Sequence, residues 1–289
     1  MIIEKANVKV LRVFAENWFR TLDIEEITKL SNLGRTWVYK TLNNLKKYTL
    51  IIEKNKRYLL NMENNLCLSL KQAFDIERVY MLDKKIGTNI LSLLNHIKLK
   101  LGNNLSSVML IGSTARMKTW EESDIDFIVV AKGKLEIAKP DINIILLSQE
   151  EFEKKYMECD EFVLTSLAYG LLLYDTNFII NFLRKPLPFP TSEKIEEKKE
   201  FVRKTLERIY TLLEINDMEQ TNKELKNILT LLARIEILKR KEIPKCRLEL
   251  IEQTKDKFLS EPLGKLLKGK VFSKNKILEI CERIENYIE

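Results

Sequence analysis

Residues 110–130 read LIGSTARMKTWEESDIDFIVV, and this stretch decides the fold. An apolar run closes on Gly112-Ser113. Ten residues later Asp124-Ile125-Asp126 opens a second apolar run, Phe127 to Val130. The pattern predicts strand, tight turn, irregular link and strand. A Gly-Ser turn leaves backbone N–H groups to meet an anion such as phosphate. Side chains at i and i+2 of a strand share a face, so Asp124 and Asp126 converge. Two convergent carboxylates suit a hard, oxygen-seeking cation such as Mg²⁺.

The next apolar run, INIILL, is expected to be a neighbouring strand. Asp141 opens it, and Asn143 follows on the same face.

Bulk properties narrow the classes. The 289 residues have room for two or three domains; 45% are hydrophobic and 31% charged. No apolar run approaches the roughly 18 residues of a membrane span. The start, MIIEKANVKV, has no signal-peptide core, so a cytoplasmic location without membrane partners is expected. Cys67, Cys159, Cys246 and Cys281 stand far apart and form no zinc motif. The single histidine, His96, lies in a helical pattern, so chemistry needing two histidines is excluded. Charge is uneven: +6 over residues 1–62, −4 over 63–183 and +5 over 184–289. Basic flanks suit a polyanion, and an acidic middle suits a cation.

In residues 1–62 the pattern gives a helix near Val8–Phe19 and a second, IEEITKLS, capped by Asp23. After the turn at Gly34 comes a third helix, RTWVYKTLNNLKKY, with Val38, Leu42 and Leu45 on one face. Two short strands, LIIEK and RYLL, meet at Asn55. This order resembles the winged helix-turn-helix domains of small transcription regulators. The resemblance implies that the third helix reads a major groove. Arg35, Thr36, Tyr39, Lys40, Asn43 and Asn44 would then reach bases or phosphates, and Lys54, Lys56 and Arg57 would meet backbone at the wing. Docking of protein or RNA is the other common use of such a fold.

The stretch from Ser106 to Ala131 resembles the DNA polymerase β-like nucleotidyltransferase superfamily, minimal type: an apolar strand, Gly-Ser, a ten-residue link and Asp-x-Asp between apolar residues. Arg116 fits the Gly-Ser-x-x-Arg form of small members. The resemblance implies in-line transfer of a nucleoside monophosphate from a nucleoside triphosphate, ATP among the candidates, to a hydroxyl of nucleic acid or protein. It further implies a third carboxylate on the neighbouring strand and two Mg²⁺ held by Asp124, Asp126 and Asp141, with Asp141 favouring the deprotonated hydroxyl; Asn143 in that third position instead would weaken metal binding. Gly112, Ser113, Thr114 and Arg116 would grip the phosphates, with Ser123 capping the turn or touching phosphate. A plainer role for Arg116 is an ion pair with Glu121 or Glu122.

The fold expected is an α+β multidomain chain. Its parts are a winged helix (1–62), connecting helices (63–104), a nucleotidyltransferase core with a mixed sheet flanked by helices (105–185), and a C-terminal α-helical bundle (186–289). In the core, Gln149–Tyr156 should be a helix, CDEFVLTSLAYGLLLYD a buried helix, and FIINFLRK helical. Within the bundle, helices near 193–216, 219–241, 246–257 and 274–288 are separated by Pro244 and Pro262. Lys239, Arg240, Lys241, Lys245 and Arg247 could bind a nucleic-acid backbone, a solvated helix end being the plainer role. Two rival functions stand beside the transferase: a winged-helix DNA-binding regulator with a nucleotide-sensing or degenerate core, and an antitoxin-type transferase modifying a partner toxin. A homodimer is a further option.

Overall fold

The computed structural model describes residues 5–117, 124–137 and 141–288. It divides into two compact units, Met1–Pro188 and Phe189–Glu289, with the break inside the Pro-rich segment PLPFP.

The first unit begins with helices α1 (Lys5–Glu16), α2 (Ile24–Ser31) and α3 (Arg35–Lys47), then strands β1 (Ile51–Lys54) and β2 (Arg57–Leu60). Asp23 caps α2 through a full capping box with Glu26, so one donor at each end of the turn is satisfied. Val38, Leu42 and Leu45 of α3 are buried, leaving its other faces to solvent. β1 and β2 pair antiparallel from Ile51↔Leu60 to Lys54↔Arg57. The two-residue turn between them has φ of 52° at Asn55 and 59° at Lys56, both left-handed, which matches the twist of a hairpin.

Helices α4 (Asn65–Met81) and α5 (Lys84–Leu101) follow. The break between them falls at Leu82-Asp83, where the Asp83 side chain caps α5. Gly87 lies within α5 for a steric reason. A Cβ there would sit 2.8 Å from the Val79 carbonyl oxygen, so the glycine lets α5 turn back closely on the end of α4.

The sheet runs β5-β4-β3-β6: β3 (Leu105–Ile111), β4 (Ile125–Ala131), β5 (Ile142–Leu147) and β6 (Leu171–Asp175). β3 pairs antiparallel with β4 and β6, while β4 and β5 are parallel. β3 is buried along its whole length, as befits a central strand. A one-turn helix, α6 (Gly112–Ala115), follows β3 directly. Helix α7 (Gln149–Met157) has a Ser148–Glu151 capping box; α8 (Glu161–Tyr169) precedes β6, and α9 (Phe178–Leu183) follows it.

Here a sequence expectation is corrected. The run ending GLLLYD is not helix but the edge strand β6. A short apolar run reads alike as buried helix or buried strand. Gly170 separates the two, because a Cβ there would lie 2.4 Å from the Ser166 carbonyl oxygen and 3.1 Å from that of Leu110.

The strand's unusual support is a buried ion pair. Lys71 and Asp75, one turn apart on α4, are 4% and 1% exposed. Lys71 Nζ donates to Asp75 Oδ1 at 2.7 Å, and Asp75 Oδ2 accepts the Leu172 N–H at 2.9 Å. The pair thus fastens α4 to β6.

The second unit consists of α10 (Ser192–Glu214), α11 (Met218–Lys239), α12 (Arg247–Gln253), α13 (Lys257–Leu267) and α14 (Lys274–Ile288) around one apolar core. Pro262 does not separate helices as expected but lies inside α13. Among the described residues no helix is long and apolar enough to cross a membrane. The four cysteines form no disulfide; burial pushes the Cys67 thiol up to about 11 and Cys281 to about 12, so both stay protonated.

Removing one partner of the Lys71–Asp75 pair strands a buried charge, at a cost of roughly 3–5 kcal/mol. Lys71→Met should therefore lower the stability of the first unit by about that much at pH 7.5. Burial already raises the Asp75 pKa, and loss of Lys71 raises it further. A raised folded-state pKa means the native state takes the proton more readily, so the deficit should shrink as pH falls. Urea unfolding followed by tryptophan fluorescence reports this unit alone, since Trp18, Trp37 and Trp120 all lie in it.

Candidate active site

The antiparallel register of β3 and β4 sets Ile111 opposite Asp126. The chain then leaves β3 through Gly112 with φ of +74°, a conformation that costs an L-residue roughly 1–2 kcal/mol. Space demands glycine as well: a Cβ at Gly112 would lie 2.5 Å from Asp126 Oδ2. The carboxylate of the second strand is thus seated directly against the backbone of the Gly-Ser turn. The turn is closed by Arg116 N–H donating to the Ser113 carbonyl and Met117 N–H to that of Thr114, each at 3.0 Å. Gly112 is exposed and Ser113 half-buried, so this end of the turn is open to a ligand.

Thr114 differs from its neighbours. It is fully buried, and its hydroxyl donates to the Asp124 carbonyl at 3.4 Å. Its side chain links the turn to the head of β4 instead of facing outward. Ser123, Glu121 and Glu122 lie outside the described residues.

Asp124 and Asp126 flank buried Ile125 at the head of β4, Asp124 exposed and Asp126 half-buried. The parallel register sets Asp126 beside Asn143. Asn143 Nδ2 donates to Asp126 Oδ1 at 3.1 Å. Continued back by two residues, the same register sets Asp141 beside Asp124, and the Ile125 N–H donates to the Asp141 carbonyl at 2.9 Å. So Asn143 neighbours Asp126, while Asp141 opens the strand at an exposed position beside Asp124. Among the described residues, three or more His, Cys, Asp or Glu side chains do not gather into a ready-made metal cluster. Burial is the largest influence on Asp126 and raises its pKa. The Asn143 amide opposes this, and the nearby negative charge of Asp124 adds to it.

Two partners of the turn, Tyr169 and Arg78, escaped the sequence reading. The Arg116 guanidinium lies over the Tyr169 ring, 4.6 Å from its centroid. Tyr169 meets Phe19 edge-on at 5.1 Å, and Trp18 Nε1 donates to the Leu167 carbonyl at 3.2 Å. The arginine of the turn is therefore braced by aromatic residues from α8 and from the turn that follows α1. Arg78 of α4 donates to the Ala115 carbonyl at 2.8 Å. Burial and the positive charge of Arg116 both lower its pKa, against Glu16 and Asp75. Neither contact has a local sequence signal, since Arg78 stands 37 positions before Ala115.

The residues expected on the third helix are spread along one solvent-facing side of α3. Arg35, Thr36, Tyr39, Lys40 and Asn43 are exposed, and Asn44 is half-buried. Trp37, 61% exposed, lies among them. Lys40 Nζ stands 5.4 Å from its ring centroid, and Arg35 stands 5.9 Å from that of Tyr39. Trp37 could have been found from sequence, because it falls off the Val38–Leu42–Leu45 stripe. Lys54 and Lys56 are exposed at the hairpin. Arg57 is held within the module: it donates to Asp23 Oδ2 at 3.2 Å, Glu26 Oε2 at 2.8 Å and the Thr21 carbonyl at 3.0 Å, tying the hairpin to α2. Arg240 is held by Glu236, Glu242 and the Gln253 carbonyl, as a helix end would be. Lys245 stands 4.0 Å from Glu249, and the Arg247 side chain lies outside the described residues.

The raised pKa of Asp126 gives a signed prediction. A carboxylate whose folded-state pKa is raised costs stability once ionised, above that pKa, and the cost is relieved as pH falls through it. Asp126→Asn should therefore stabilise the first unit at pH 7.5, with the gain vanishing towards acid pH. Gly112→Ala should destabilise it by roughly 1–2 kcal/mol from backbone strain alone, and more if Asp126 must move. Urea titrations of both variants across pH check the two signs.

No protein-family model matches the chain, and no curated protein matches it. Among solved structures it is similar to a nucleotidyltransferase-like protein from Exiguobacterium sibiricum 255-15. That likeness has a TM-score of 0.41 at 11% sequence identity and covers 67% of this chain and 71% of that one. It assigns no residue a role.

Proposed function

We propose that the protein transfers a nucleoside monophosphate from a nucleoside triphosphate to a hydroxyl acceptor. One observation carries the reading: the Asp126 carboxylate is seated against Gly112, which brings the Gly-Ser turn and the Asp124-x-Asp126 pair together. Such a site needs an anion cradle beside a cation holder, and these residue types supply both. The resemblance of residues 106–131 to the polymerase β-like superfamily points the same way.

The donor set fits Mg²⁺ in a limited sense. Mg²⁺ keeps several waters and is held by one or two carboxylates plus substrate phosphates, without a full protein cage. Asp124 and Asp126 would hold it, with Asp141 a further carboxylate at the strand entrance. When bound, the ion would neutralise phosphate charge and favour the ionised acceptor hydroxyl. Asn143 orients Asp126 through its amide and leaves Oδ2 on the Gly112 side. The backbone of Gly112 and Ser113 would meet phosphate oxygens, and Arg116, stiffened on Tyr169, would add positive charge as pyrophosphate leaves.

A second reading is favoured by the partner of Asp126 on β5 being the amide Asn143 and not a carboxylate, and by the exposed Trp37, Arg35 and Lys40 on α3. In it α1–α3 and the β1–β2 hairpin act as a winged helix on nucleic acid, and the core binds nucleotide without turnover. The antitoxin-type activity on a protein acceptor would use the same catalytic residues.

The two are separated by incubating the full chain with Mg²⁺, each labelled nucleoside triphosphate, and nucleic-acid or protein acceptors. Transfer should appear and fall at least 100-fold in Asp124→Asn and in Asp126→Asn, an effect of the size expected when a charge-stabilising group is lost. Nucleotide binding without transfer in the parent protein would favour the second reading. Asn143→Asp gaining transfer under those conditions would show why.

A further inference from the structure

The C-terminal unit contains a groove between α13 and α14 that the nucleotidyl-transfer reading does not use. Its cavity has a volume of about 180 Å³, several times a water's share of liquid volume of about 30 Å³. Lys257, Glu261 and Lys265 recur at helical spacing on α13, and Lys276, Ile280 and Arg283 on α14, so each helix turns one side to the groove. Four of the lining side chains are cations, and Glu261 is the one acid among the lining residues. Lys276 is paired with Glu279 at 2.6 Å. No carboxylate pairs with Lys257 or Lys265 among the described residues. The lining also holds Phe258 and Phe272, and the Arg283 guanidinium covers the Phe258 ring at 4.3 Å.

The charge extends beyond the cavity. Residues 255–276 carry seven lysines against Asp256 and Glu261, and all seven are exposed. Like charges gathered around a concave surface repel each other, and a bound polyanion removes that repulsion. Aromatic and apolar lining between cations is also what an unpaired base needs, with phosphates on the lysines and the base against a ring or a guanidinium plane.

We propose that the α13–α14 groove binds single-stranded nucleic acid, with Lys257 and Lys265 on the phosphates and the Phe258–Arg283 stack receiving a base. The site lies in the unit that lacks the Gly112–Asp126 centre, and binding there needs neither nucleotide nor Mg²⁺.

The test is fluorescence anisotropy of the full chain with labelled oligo-dT and oligo-rU of equal length, without Mg²⁺ or nucleoside triphosphate, across a salt series. The double variant Lys257→Glu/Lys265→Glu should bind at least roughly tenfold more weakly at low salt. Its log–log salt slope should fall by about 1.4, which is about 0.7 for each of two lost phosphate contacts to a single strand. Arg283→Ala should weaken binding with a smaller change in slope. Lys204→Glu/Lys223→Glu, an equal charge change on exposed positions of α10 and α11, should leave binding near the parent value. The proposal is overturned if the groove variants bind like the parent protein, or if the α10–α11 control loses as much affinity as they do. It is likewise overturned if neither oligonucleotide binds the parent chain. Because no transfer is measured, these outcomes are independent of whether the Asp124/Asp126 site is active.

Discussion

The pairing of β3 with β4 is the constraint on which the first unit's site depends. An antiparallel register fixes which residues face each other, and a slip of one would turn every side chain of β4 to the opposite face. With Ile111 opposite Asp126, the chain turns out of β3 directly beneath the carboxylate. The left-handed φ of Gly112 and the 2.5 Å that any Cβ would leave to Asp126 Oδ2 are two consequences of that one register. Thr114 adds a third tie, from inside the turn to the Asp124 backbone. The turn and the acidic pair are therefore one object, though ten residues separate them in sequence.

Around it, stability and chemistry pull in different directions. Asp126 is partly buried, beside another acid, with one neutral amide as its hydrogen-bonded partner. Those conditions disfavour its charged form, and a positive charge placed beside it would favour that form. By contrast, the Lys71–Asp75 pair and the Arg57 contacts to Asp23 and Glu26 are internally matched. They hold β6 to α4 and the hairpin to α2. Among the described residues, like charges without a paired counter-ion gather at the Asp124/Asp126 face in one unit and at Lys257 and Lys265 of α13 in the other.

Contacts from α1 and the turn after it also reach this site. Phe19 meets Tyr169, which carries Arg116, and Glu16 acts on Arg78, which holds the Ala115 carbonyl. The residues following β3 are thus braced by elements from far earlier in the chain. A helix–hairpin module and a strand–turn–strand motif, separable on paper, share side-chain contacts within one compact unit.

Local chemistry made much of this legible in the sequence. Asp23 and Ser148 announce helix starts because a short side-chain oxygen can satisfy backbone donors at once. The stripe of Val38, Leu42 and Leu45 reveals a helix face, and Gly-Ser followed by Asp-x-Asp reveals strand ends. Each depends on neighbours a few residues apart. What the sequence left open depended on partners far away. LLLYD became a strand because β3 offered it an unpaired edge, and Pro262 was tolerated inside α13, which proline as a helix breaker did not foretell. Asn143 rather than Asp141 came to lie beside Asp126 because parallel register is set by the whole pairing of β4 with β5. Arg57 turned to Asp23 and Glu26, and Arg78 to Ala115, because only the folded chain brings those charges and carbonyls within reach. The sequence by itself determined the turn, the acidic pair and the helix caps; tertiary structure decided which side chain stands next to which, since distance in space is not written in distance along the chain.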